Sequence, residues 1–320
     1  MTATSSSGRQ LIGADLALAG IGKIARDQHV PAIETSEAFT LAATVSHSGG
    51  LDGMENHAEI EDLIADRPDI GIVSLTMPPL PRFDYAMKAL AAGKHVMLEK
   101  PPGATLSEVH KLQRLAQAKG VTLYASWHVK HAPGVAAARA WLRDRTVTGM
   151  RITWHEDVRV HHPGQDWIWE PAGLGVFDTG VNALSIMVEI LPVEVHLREA
   201  DLKVPGNRQM PIAAKLDFAG PGDMKVTADF DFRHEDPPTW DMEIDTTDGP
   251  LKLLDAATKM IVNGQEQALP DQTEYGGVYH RFAELIETGQ SDVDLRPFRH
   301  VADAMLLGTR ETVADFHHED

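Results

Sequence analysis

The feature that most constrains the fold is a glycine-rich turn between a short apolar strand and a helix near the start of the chain. The strand is predicted over 15–19, and the turn Gly20-Ile-Gly22-Lys-Ile-Ala25 follows at once. In the pattern G-x-G-x-x-G/A, the first glycine permits a tight turn, the second lets backbone approach a pyrophosphate, and the small third residue lets helix and strand pack closely. The next helix, predicted at about 29–36, presents its amino end to the phosphates. The turn therefore predicts a dinucleotide site, with an ordinary strand-to-helix turn as the alternative.

The segments after this turn repeat the order of strand and helix. Buried strands are predicted at 39–45, 70–76, 95–98 and 121–126, and helices at 59–66, 82–92 and 106–118. Such alternation implies a parallel sheet with right-handed crossovers. We therefore expect an N-terminal Rossmann dinucleotide-binding domain over 15–130, preceded by a flexible tail over 1–14.

The pattern changes after a helix predicted at 132–145. Further strands are predicted at 150–158 and near 194–204, 211–219, 223–233, 240–248 and 251–262. Turns rich in Pro, Gly and Asp separate these strands, which favours a mostly antiparallel, open-faced sheet. This α+β segment, residues 131–320, is expected to bind the substrate. The acidic, His-containing end at 315–320 is interpreted as a frayed tail and not as a metal site.

Composition excludes several classes of function. The 320 residues carry a formal net charge of −18, which would repel phosphate backbones and anionic lipid surfaces. We therefore expect a small neutral substrate, and neither a nucleic acid nor a membrane partner. The absence of cysteine excludes disulfides and cysteine-ligated metals, which fits a reducing compartment. Because the start lacks the basic and apolar regions of a signal peptide, we expect a cytoplasmic protein.

An acid and a base stand at the end of the strand predicted at 95–98, in the stretch Glu99-Lys100-Pro101-Pro102. In open α/β sheets, ligands bind outside the carboxyl ends of the strands. The stretch is therefore a candidate for catalysis, with a solvated turn as the alternative.

The loop after the second strand bears on the choice of cofactor. A site that prefers NAD usually has an acid here that binds the ribose 2′-hydroxyl, and this chain has Ser46 and His47 instead. Both side chains could donate hydrogen bonds to a 2′-phosphate. We expect NADP and NAD to be accepted, with NADP slightly favoured, although the two residues could equally be ordinary polar loop residues.

A helix predicted at 176–191 carries polar residues one turn apart, Asp178 and Asn182, which therefore point the same way. They are candidates for a site, or else a cap and a surface residue. The loop before this helix interleaves Trp167 and Trp169 with Glu156, His162 and other polar groups. Such a mixture suits a sugar, because rings cover C–H faces while polar groups bind hydroxyls. The tryptophans could instead fill a core edge. A metal site made by His155, His161, His162 and Glu156 is a further alternative, although no compact helical ligand spacing such as H-E-x-x-H is present.

Three motifs in this order resemble the Gfo/Idh/MocA family of oxidoreductases, and the similarity spans almost the whole folded chain. They are the glycine-rich turn 20–25, Ala92-Gly-Lys-His-Val-Met-Leu-Glu-Lys-Pro101, and Asp178-x-x-x-Asn182. Longer segments resemble its subfamily of bacterial L-arabinose and D-galactose 1-dehydrogenases. They are Gly22-Lys-Ile-Ala-Arg-Asp-Gln-His29, Met97-Leu-Glu-Lys-Pro-Pro-Gly-Ala104, His162-Pro-Gly-Gln165 and Trp167-Ile-Trp-Glu-Pro171.

The resemblance implies NAD(P)-dependent oxidation of the anomeric C1 hydroxyl of an aldopyranose (L-arabinose, D-galactose or D-fucose) to the aldonolactone, with hydride passing to nicotinamide C4. It implies that Lys100 contacts sugar and cofactor, and that the Lys100–Pro101 bond is cis. Many family members have His where this chain has Asn182, and the sugar 1-dehydrogenases share the Asn. Glu156 and His162 match positions that bind sugar hydroxyls, and Trp167 is expected to contact the sugar in the same loop.

We hypothesise that Asp178 takes the C1 hydroxyl proton, directly or through Lys100, while Asn182 orients the hydroxyl. Lys100, Asp178 and Asn182 are thus the predicted catalytic residues, and no metal is expected. Contacts to the cofactor are expected from Gly20, Gly22, Lys23, Ile24, Ser46, His47, Thr76, Pro79, Glu99, Lys100 and His128.

Two other functions compete with this hypothesis. One is a different dehydrogenase of the same family, acting on an inositol, another polyol or a dihydrodiol. The Trp167 loop and Asn182 disfavour this alternative. The other is a non-catalytic nucleotide-sensing regulator, which the presence of Lys100 and Asp178 disfavours. Relatives often pair through the open face of the second sheet, so we also expect a homodimer.

Overall fold

The computed structural model describes residues 10–235 and 237–318, and the chain forms two compact units. The first unit holds the described chain up to Ser126 together with Tyr275–Asp294, and the second holds Trp127–Glu274 and the described residues from Leu295 onward. No helix in the described ranges is long and apolar enough to cross a membrane.

The predicted flexible tail, 1–14, falls partly outside the described residues. Its last residues belong to the folded chain, because the Leu11 amide donates to Glu287 Oε1 at 2.6 Å and the Gly13 amide donates to the Glu37 carbonyl at 2.9 Å. The folded chain thus begins a few residues earlier than predicted.

The first unit is built on a six-stranded parallel sheet with the order β3-β2-β1-β4-β5-β6. Its strands are β1 (Ala14–Ala19), β2 (Phe39–Val45), β3 (Asn56–His57), β4 (Ile72–Leu75), β5 (His95–Glu99) and β6 (Leu123–Ser126). The strand order reverses between β1 and β4, where ligands bind in such sheets. The Rossmann fold predicted for this part of the chain is confirmed.

Helices join these strands. They are a π-helical turn (Ala25–His29) continued by α1 (Val30–Glu34), then α2 (Ile60–Asp66), α3 (Pro79–Ala91) and α4 (Leu106–Lys119). Helix α4 shows why the local sequence predicts its ends well. Thr105 and Glu108 form a capping box at its start, and Gly120, in the left-handed conformation, ends it.

The second unit is built on a nine-stranded sheet with the order β14-β13-β12-β11-β7-β10-β9-β8-β15. Its strands are β7 (Val147–His155), β8 (His196–Pro205), β9 (Ala213–Ala219), β10 (Lys225–Asp231), β11 (Thr239–Thr246), β12 (Gly249–Leu254), β13 (Lys259–Val262), β14 (Gln265–Glu266) and β15 (Thr309–Val313). Only the pairs β10–β7 and β15–β8 are parallel among these neighbours, so the mostly antiparallel sheet is confirmed. The strand predicted near 251–262 was wrong: it is the hairpin β12–β13, because the chain turns at 255–257 with positive φ angles.

The helices of the later chain are α5 (Pro133–Leu142), α6 (Val158–His161), α7 (Phe177–Ile190), α8 (Glu274–Thr288) and α9 (Arg296–Leu307), with 3₁₀ turns at His128–His131 and Asp166–Trp169. Helix α7 covers one face of the sheet, where the Phe177 ring lies 5.9 Å from that of Phe230. The other face carries charged side chains, such as the pair Arg151 and Glu243 at 2.7 Å. The predicted homodimer through that face stays a prediction.

Helix α8 corrects the domain division made from the sequence. It follows strand β14 of the second sheet in the chain, and a division into 15–130 and 131–320 places it in the second domain. In the structure, Tyr275–Asp294 belongs to the first unit. The reason is its apolar face, on which Val278, Tyr279 and Phe282 are buried in a cluster with Leu16 of β1.

Gly20→Ala is expected to lower stability by about 1–3 kcal/mol, because a residue with a side chain is strained at its φ of +90°. The added Cβ would also lie 2.6 Å from the Met77 backbone nitrogen. Gly22→Ala is the matched control: its Cβ would meet no atom within 4 Å, so a change of less than about 0.5 kcal/mol is expected. Denaturant unfolding of both variants checks this, and an equal loss in both would contradict it.

Helix α6 is short and depends on a side-chain cap. Asp157 Oδ1 accepts a hydrogen bond from the Arg159 backbone N–H at 2.9 Å, and the Arg159 guanidinium donates to both carboxylate oxygens at 2.8 Å. The hydrogen bonds from Arg159 hold the pKa of the Asp157 carboxyl below its ordinary value of 3.8. This cap sets where the chain continues into His162.

Asp157→Asn is expected to lower the free energy of unfolding at pH 7 by about 0.5–1 kcal/mol, because the amide keeps the cap but loses the charge-assisted hydrogen bonds to the Arg159 guanidinium. Since the pKa of Asp157 is lower in the folded than in the unfolded chain, its contribution is present above pH 3.8 and is lost as the pH falls through the depressed value. The difference between wild type and variant should therefore shrink in acid. Urea unfolding at several pH values measures it, with the exposed Asp144→Asn as the control. A difference that grows below pH 3.8 would contradict the pKa assignment.

Candidate active site

In the first unit, the glycine turn is held at the carboxyl edge of the parallel sheet. The Gly20 N–H donates to the Val45 carbonyl at 2.9 Å, and Thr76 Oγ1 donates to the Ala19 carbonyl at 3.1 Å. The turn is thus fixed to the ends of β2 and β4. Gly22, two residues on, is exposed and borders open space. A turn with one packed and one open glycine leaves backbone accessible to a pyrophosphate.

The other predicted cofactor residues of this turn and its neighbouring helix differ in exposure. Lys23 is exposed and paired with Asp27, and Ile24 exposes an apolar side chain beside the turn. Thr76 is buried at the end of β4, and Pro79 is buried at the start of α3. All four lie at the same edge of the sheet as Gly22.

An acid that the sequence interpretation missed lies beside the loop after β2. His47 Nε2 lies 3.5 Å from Glu59 Oε1, and the Tyr85 hydroxyl donates to Glu59 Oε2 at 2.9 Å. Burial and the Glu59 carboxylate raise the pKa of Tyr85 to about 12. Ser46 Oγ lies 3.2 Å from Ser48 Oγ. A carboxylate therefore does lie beside the predicted ribose loop, but it comes from the start of α2 and not from the end of β2.

Arg26 is a second residue that sequence reasoning missed here. Its guanidinium donates to the Gly50 carbonyl at 3.1 Å, so a cation from the π-helical turn reaches the loop after β2. Its position four residues after Gly22, on the exposed side of the following helix, is the signal that could have indicated it.

The turn that carries Lys100 is held from below by a buried guanidinium. Arg82, which is 2% exposed, donates through Nε at 3.0 Å and through Nη2 to the Met77 carbonyl, and through Nη1 to the carbonyls of Glu99 and Pro101. Glu99 Oε2 accepts the Lys100 backbone N–H at 2.8 Å. The Lys100–Pro101 bond is cis, as expected. Lys100 itself is half-buried at the end of β5.

In the second unit, His162 lies between two carboxylates. Its Nε2 is 3.0 Å from Glu156 Oε1, and its Nδ1 is 3.9 Å from Asp178 Oδ2. The Trp240 indole N–H donates to the other Glu156 oxygen, Oε2, at 3.0 Å. Because Glu156 is 2% exposed and both its oxygens are engaged, its observed role is to orient His162. Its predicted contact with a sugar hydroxyl stays a prediction.

Helix α7 brings Asp178 and Asn182 together as predicted, one turn apart. Both are buried, with 3% and 9% of their surface exposed. This excludes the alternative of a cap and a surface residue. Asn182 Oδ1 and His162 Nδ1 are buried and make no hydrogen bond within the described residues. Buried polar atoms are usually hydrogen-bonded, so these two neighbouring atoms are candidates for contact with a ligand.

The two tryptophans of the loop before α7 have different environments. Trp169 is 1% exposed and its ring packs against those of Phe232 and Phe316, at 6.0 and 5.2 Å. It is a core residue, which confirms the structural alternative for this position. Trp167, on the same 3₁₀ turn, is half-buried and keeps part of its ring accessible. The contact with Phe316 also shows that the predicted frayed end is packed in its described part.

His128, predicted to contact the cofactor, lies in the second unit just after the boundary. Its Nδ1 is 2.5 Å from Glu274 Oε2. Within 10–235 and 237–318, no three His, Asp or Glu side chains are placed to hold a metal ion.

The chain is similar over most of its length to proteins of a known family. A model of the oxidoreductase family with an NAD-binding Rossmann fold, Gfo/Idh/MocA, matches residues 15–126. The chain is 42% identical to galactose 1-dehydrogenase from Pseudomonas fluorescens over 94% of this chain and 98% of that one. It resembles the crystal structure of D-galactose-1-dehydrogenase from Rhizobium etli with a TM-score of 0.92 and 47% identity, covering 97% and 99% of the two chains.

A more distant structure shows the fold alone. A 3-ketoreductase from Actinomadura kijaniata, solved with NADP and TDP-benzene, has a TM-score of 0.82 at 17% identity and covers 94% of this chain and 99% of its own. The near-complete coverage by a 42% identical relative is the decisive finding. The chain belongs to the Gfo/Idh/MocA family of oxidoreductases.

Proposed function

We propose that this oxidoreductase removes hydride from the anomeric C1 of an aldopyranose and forms the aldonolactone. The proposed substrates are D-galactose, L-arabinose and D-fucose, of which D-galactose is preferred. The similarity to two galactose 1-dehydrogenases over nearly the whole chain supports this substrate class. The three sugars differ only at C5 of the pyranose and share the same ring hydroxyl pattern. A site that recognises those hydroxyls would therefore accept all three.

The buried acceptors of the second unit are the observation that carries the proposal. Leaving a buried polar atom without a partner costs about 1–3 kcal/mol, so such atoms are expected to be satisfied by a bound ligand. Asn182 Oδ1 and His162 Nδ1 need hydrogen-bond donors, which the hydroxyls of a sugar supply. The half-buried Trp167 offers an aromatic surface for sugar C–H groups.

His162 Nδ1 can accept a hydrogen bond only in the tautomer whose proton lies on Nε2, and Glu156 favours that tautomer. A carboxylate accepts hydrogen bonds, so the proton of the neutral imidazole lies on Nε2, towards Glu156 at 3.0 Å. This leaves the lone pair on Nδ1 to accept a sugar hydroxyl. Trp240 fixes the second oxygen of Glu156 and thereby the orientation of both side chains.

The residues of the first unit fit a nicotinamide dinucleotide. Open space at Gly22 leaves backbone accessible to its pyrophosphate, while packed Gly20 fixes the turn. When bound, NAD(P) supplies the hydride acceptor at nicotinamide C4. The chain's own contribution is to hold the dinucleotide through this turn and to present Lys100 from the turn that Arg82 fixes.

Asp178 is the general base in this proposal, because its carboxylate is buried beside the unsatisfied acceptors. It takes the C1 hydroxyl proton, directly or through Lys100, while Asn182 orients that hydroxyl. Proton transfer by a positioned side chain accelerates such a step by roughly 100- to 10,000-fold.

Acceptance of both NADP and NAD is part of the proposal. Ser46, His47 and Arg26 could donate to a 2′-phosphate, whereas Glu59, 3.5 Å from His47, would repel it and favour the 2′-hydroxyl of NAD. The opposed charges support use of both cofactors, with the slight preference for NADP left as a prediction.

An aldose panel run with each cofactor tests the substrate class. We expect reduction of NAD and of NADP, followed at 340 nm, with D-galactose, L-arabinose and D-fucose, and the highest kcat/KM for D-galactose. D-Glucose, which differs from D-galactose at C4 only, should be slower by roughly 10-fold or more, since one misplaced hydroxyl leaves a buried acceptor unpaired.

The same panel contains the outcomes that would contradict the proposal. Turnover of myo-inositol but of no aldose would favour another family activity. Tight binding of dinucleotide without turnover of any sugar would favour a nucleotide-sensing regulator.

Asp178→Asn is expected to lower kcat for D-galactose by roughly 100-fold or more, because the amide is nearly the same size but cannot accept the proton. Lys100→Ala should also lower kcat/KM, because it removes a proposed contact to sugar and cofactor. Steady-state kinetics with saturating cofactor measures both.

The exposed residues Asp223 and Lys119 provide matched controls, since Asp223→Asn and Lys119→Ala make the same chemical changes away from the site. Near-normal turnover of both Asp178→Asn and Lys100→Ala on every aldose would show that the assigned roles are wrong.

A further inference from the structure

A network of buried polar side chains lies beneath the Lys100 turn, within the first unit. At its centre is Glu99, which is 4% exposed. Its Oε2 accepts the Lys100 backbone N–H at 2.8 Å. Its Oε1 accepts the Tyr275 hydroxyl at 2.8 Å and lies 3.1 Å from His29 Nε2. One carboxylate therefore connects the main chain at Lys100 to an imidazole and a phenol from distant parts of the chain.

His29 is fully buried and both of its ring nitrogens are engaged. Nε2 meets Glu99, and Nδ1 lies 2.8 Å from the Tyr279 hydroxyl. The rings of Tyr275 and Tyr279 pack edge-on against the imidazole, with centroids 4.8 and 5.8 Å away. Both tyrosines come from α8, the helix that the second half of the sequence returns to this unit. Hydrogen bonds at both ring nitrogens and two aromatic contacts therefore fix the orientation of the imidazole.

The position of His29 in the chain gives the network its significance. It is the last residue of the π-helical turn Ala25–His29, which follows directly from the glycine turn at Gly20 and Gly22. Single π-helical turns are rare and occur often at functional sites. Here the turn directs a buried imidazole from the cofactor-binding helix towards the strand end that carries Lys100.

A carboxylate only accepts hydrogen bonds, so the proton on His29 Nε2 points to Glu99. Glu99 in turn accepts the N–H of Lys100 and so limits the freedom of the turn. Removing the imidazole donor would weaken the restraint on the carboxylate, and through it the restraint on the Lys100 main chain. A displacement of about 1 Å at a reacting group can cost roughly 100-fold in rate.

We infer that His29 is a positioning residue for Lys100, acting through Glu99 and linking the glycine turn to the catalytic lysine. This inference rests on the proposed function for its kinetic consequence, although the restraint on the Lys100 backbone stands on the contacts alone. Tyr275 belongs to the same restraint, because it donates to the same oxygen of Glu99.

Two substitutions at one position separate positioning from mere filling of space. In His29→Gln the side-chain amide nitrogen can reach the place of Nε2 and keep a donor to Glu99, whereas in His29→Asn the shorter amide reaches only the place of Nδ1. The first readout is amide hydrogen exchange of the peptide containing Lys100, in which the two following prolines carry no amide hydrogen. The second is kcat and KM for D-galactose.

We expect His29→Asn to speed exchange at Lys100 by about fivefold or more and to lower kcat by roughly 10- to 100-fold. KM for the sugar should change by less than about threefold, since the residue touches no substrate, and His29→Gln should restore most of both properties. His110→Gln, at an exposed histidine of α4, is the control and should match wild type.

The inference is overturned if folded His29→Asn exchanges and turns over like His110→Gln, or if His29→Gln is as impaired as His29→Asn. If His29→Asn fails to fold, Tyr275→Phe decides instead, because it removes a donor to Glu99 and keeps the ring: unchanged exchange and kcat would reject the restraint. A wild-type enzyme inactive on every aldose would refute the proposed function, while hydrogen exchange would still decide whether His29 holds the Lys100 main chain.

Discussion

The guanidinium of Arg82 joins the ends of strands β4 and β5, and the position of Lys100 depends on this junction. A buried charge is tolerated only when its hydrogen-bonding groups are satisfied, and here backbone carbonyls of Met77, Glu99 and Pro101 satisfy it. The five donors of the planar guanidinium suit several carbonyls at once. The same junction therefore stabilises the sheet edge and fixes the turn on which the candidate chemistry rests.

In the second unit, by contrast with Arg82, the buried polar atoms Asn182 Oδ1 and His162 Nδ1 have no hydrogen-bond partner among the described residues. Helix α7 is buried along nearly its whole length, so Asp178 and Asn182 are desolvated by the fold itself. His162 is held beside them by Glu156, which Trp240 orients in turn. The cost of these open acceptors is offset elsewhere in the core, as is usual where strain or unpaired groups serve a ligand.

At the glycine turn and the loop after β2, the sequence predicted the local conformation but missed one neighbouring side chain. The motif at Gly20 and Gly22 predicted the turn, and the structure supports the different tasks given to the two glycines. The residues directly after β2, Ser46 and His47, indeed include no acid. In space, however, Glu59 lies beside His47, because α2 begins next to that loop. A neighbour in space that is twelve residues away in the chain leaves no local signal.

The sequence by itself determined the strands and helices of the parallel sheet, most strands of the second sheet, and the order of the candidate site residues along the chain. The alternation of strand and helix predicted the parallel sheet, the glycine motif predicted the turn at 20–25, and helical spacing placed Asp178 and Asn182 on one face of α7. These features depend on residues a few positions apart, whose propensities act locally. Tertiary structure decided the rest: α8 returns to the first unit, Trp240 meets Glu156, and His29 meets Glu99 across 70 positions. Such contacts depend on how the elements pack, and packing is set by the whole core and not by any short stretch of the chain.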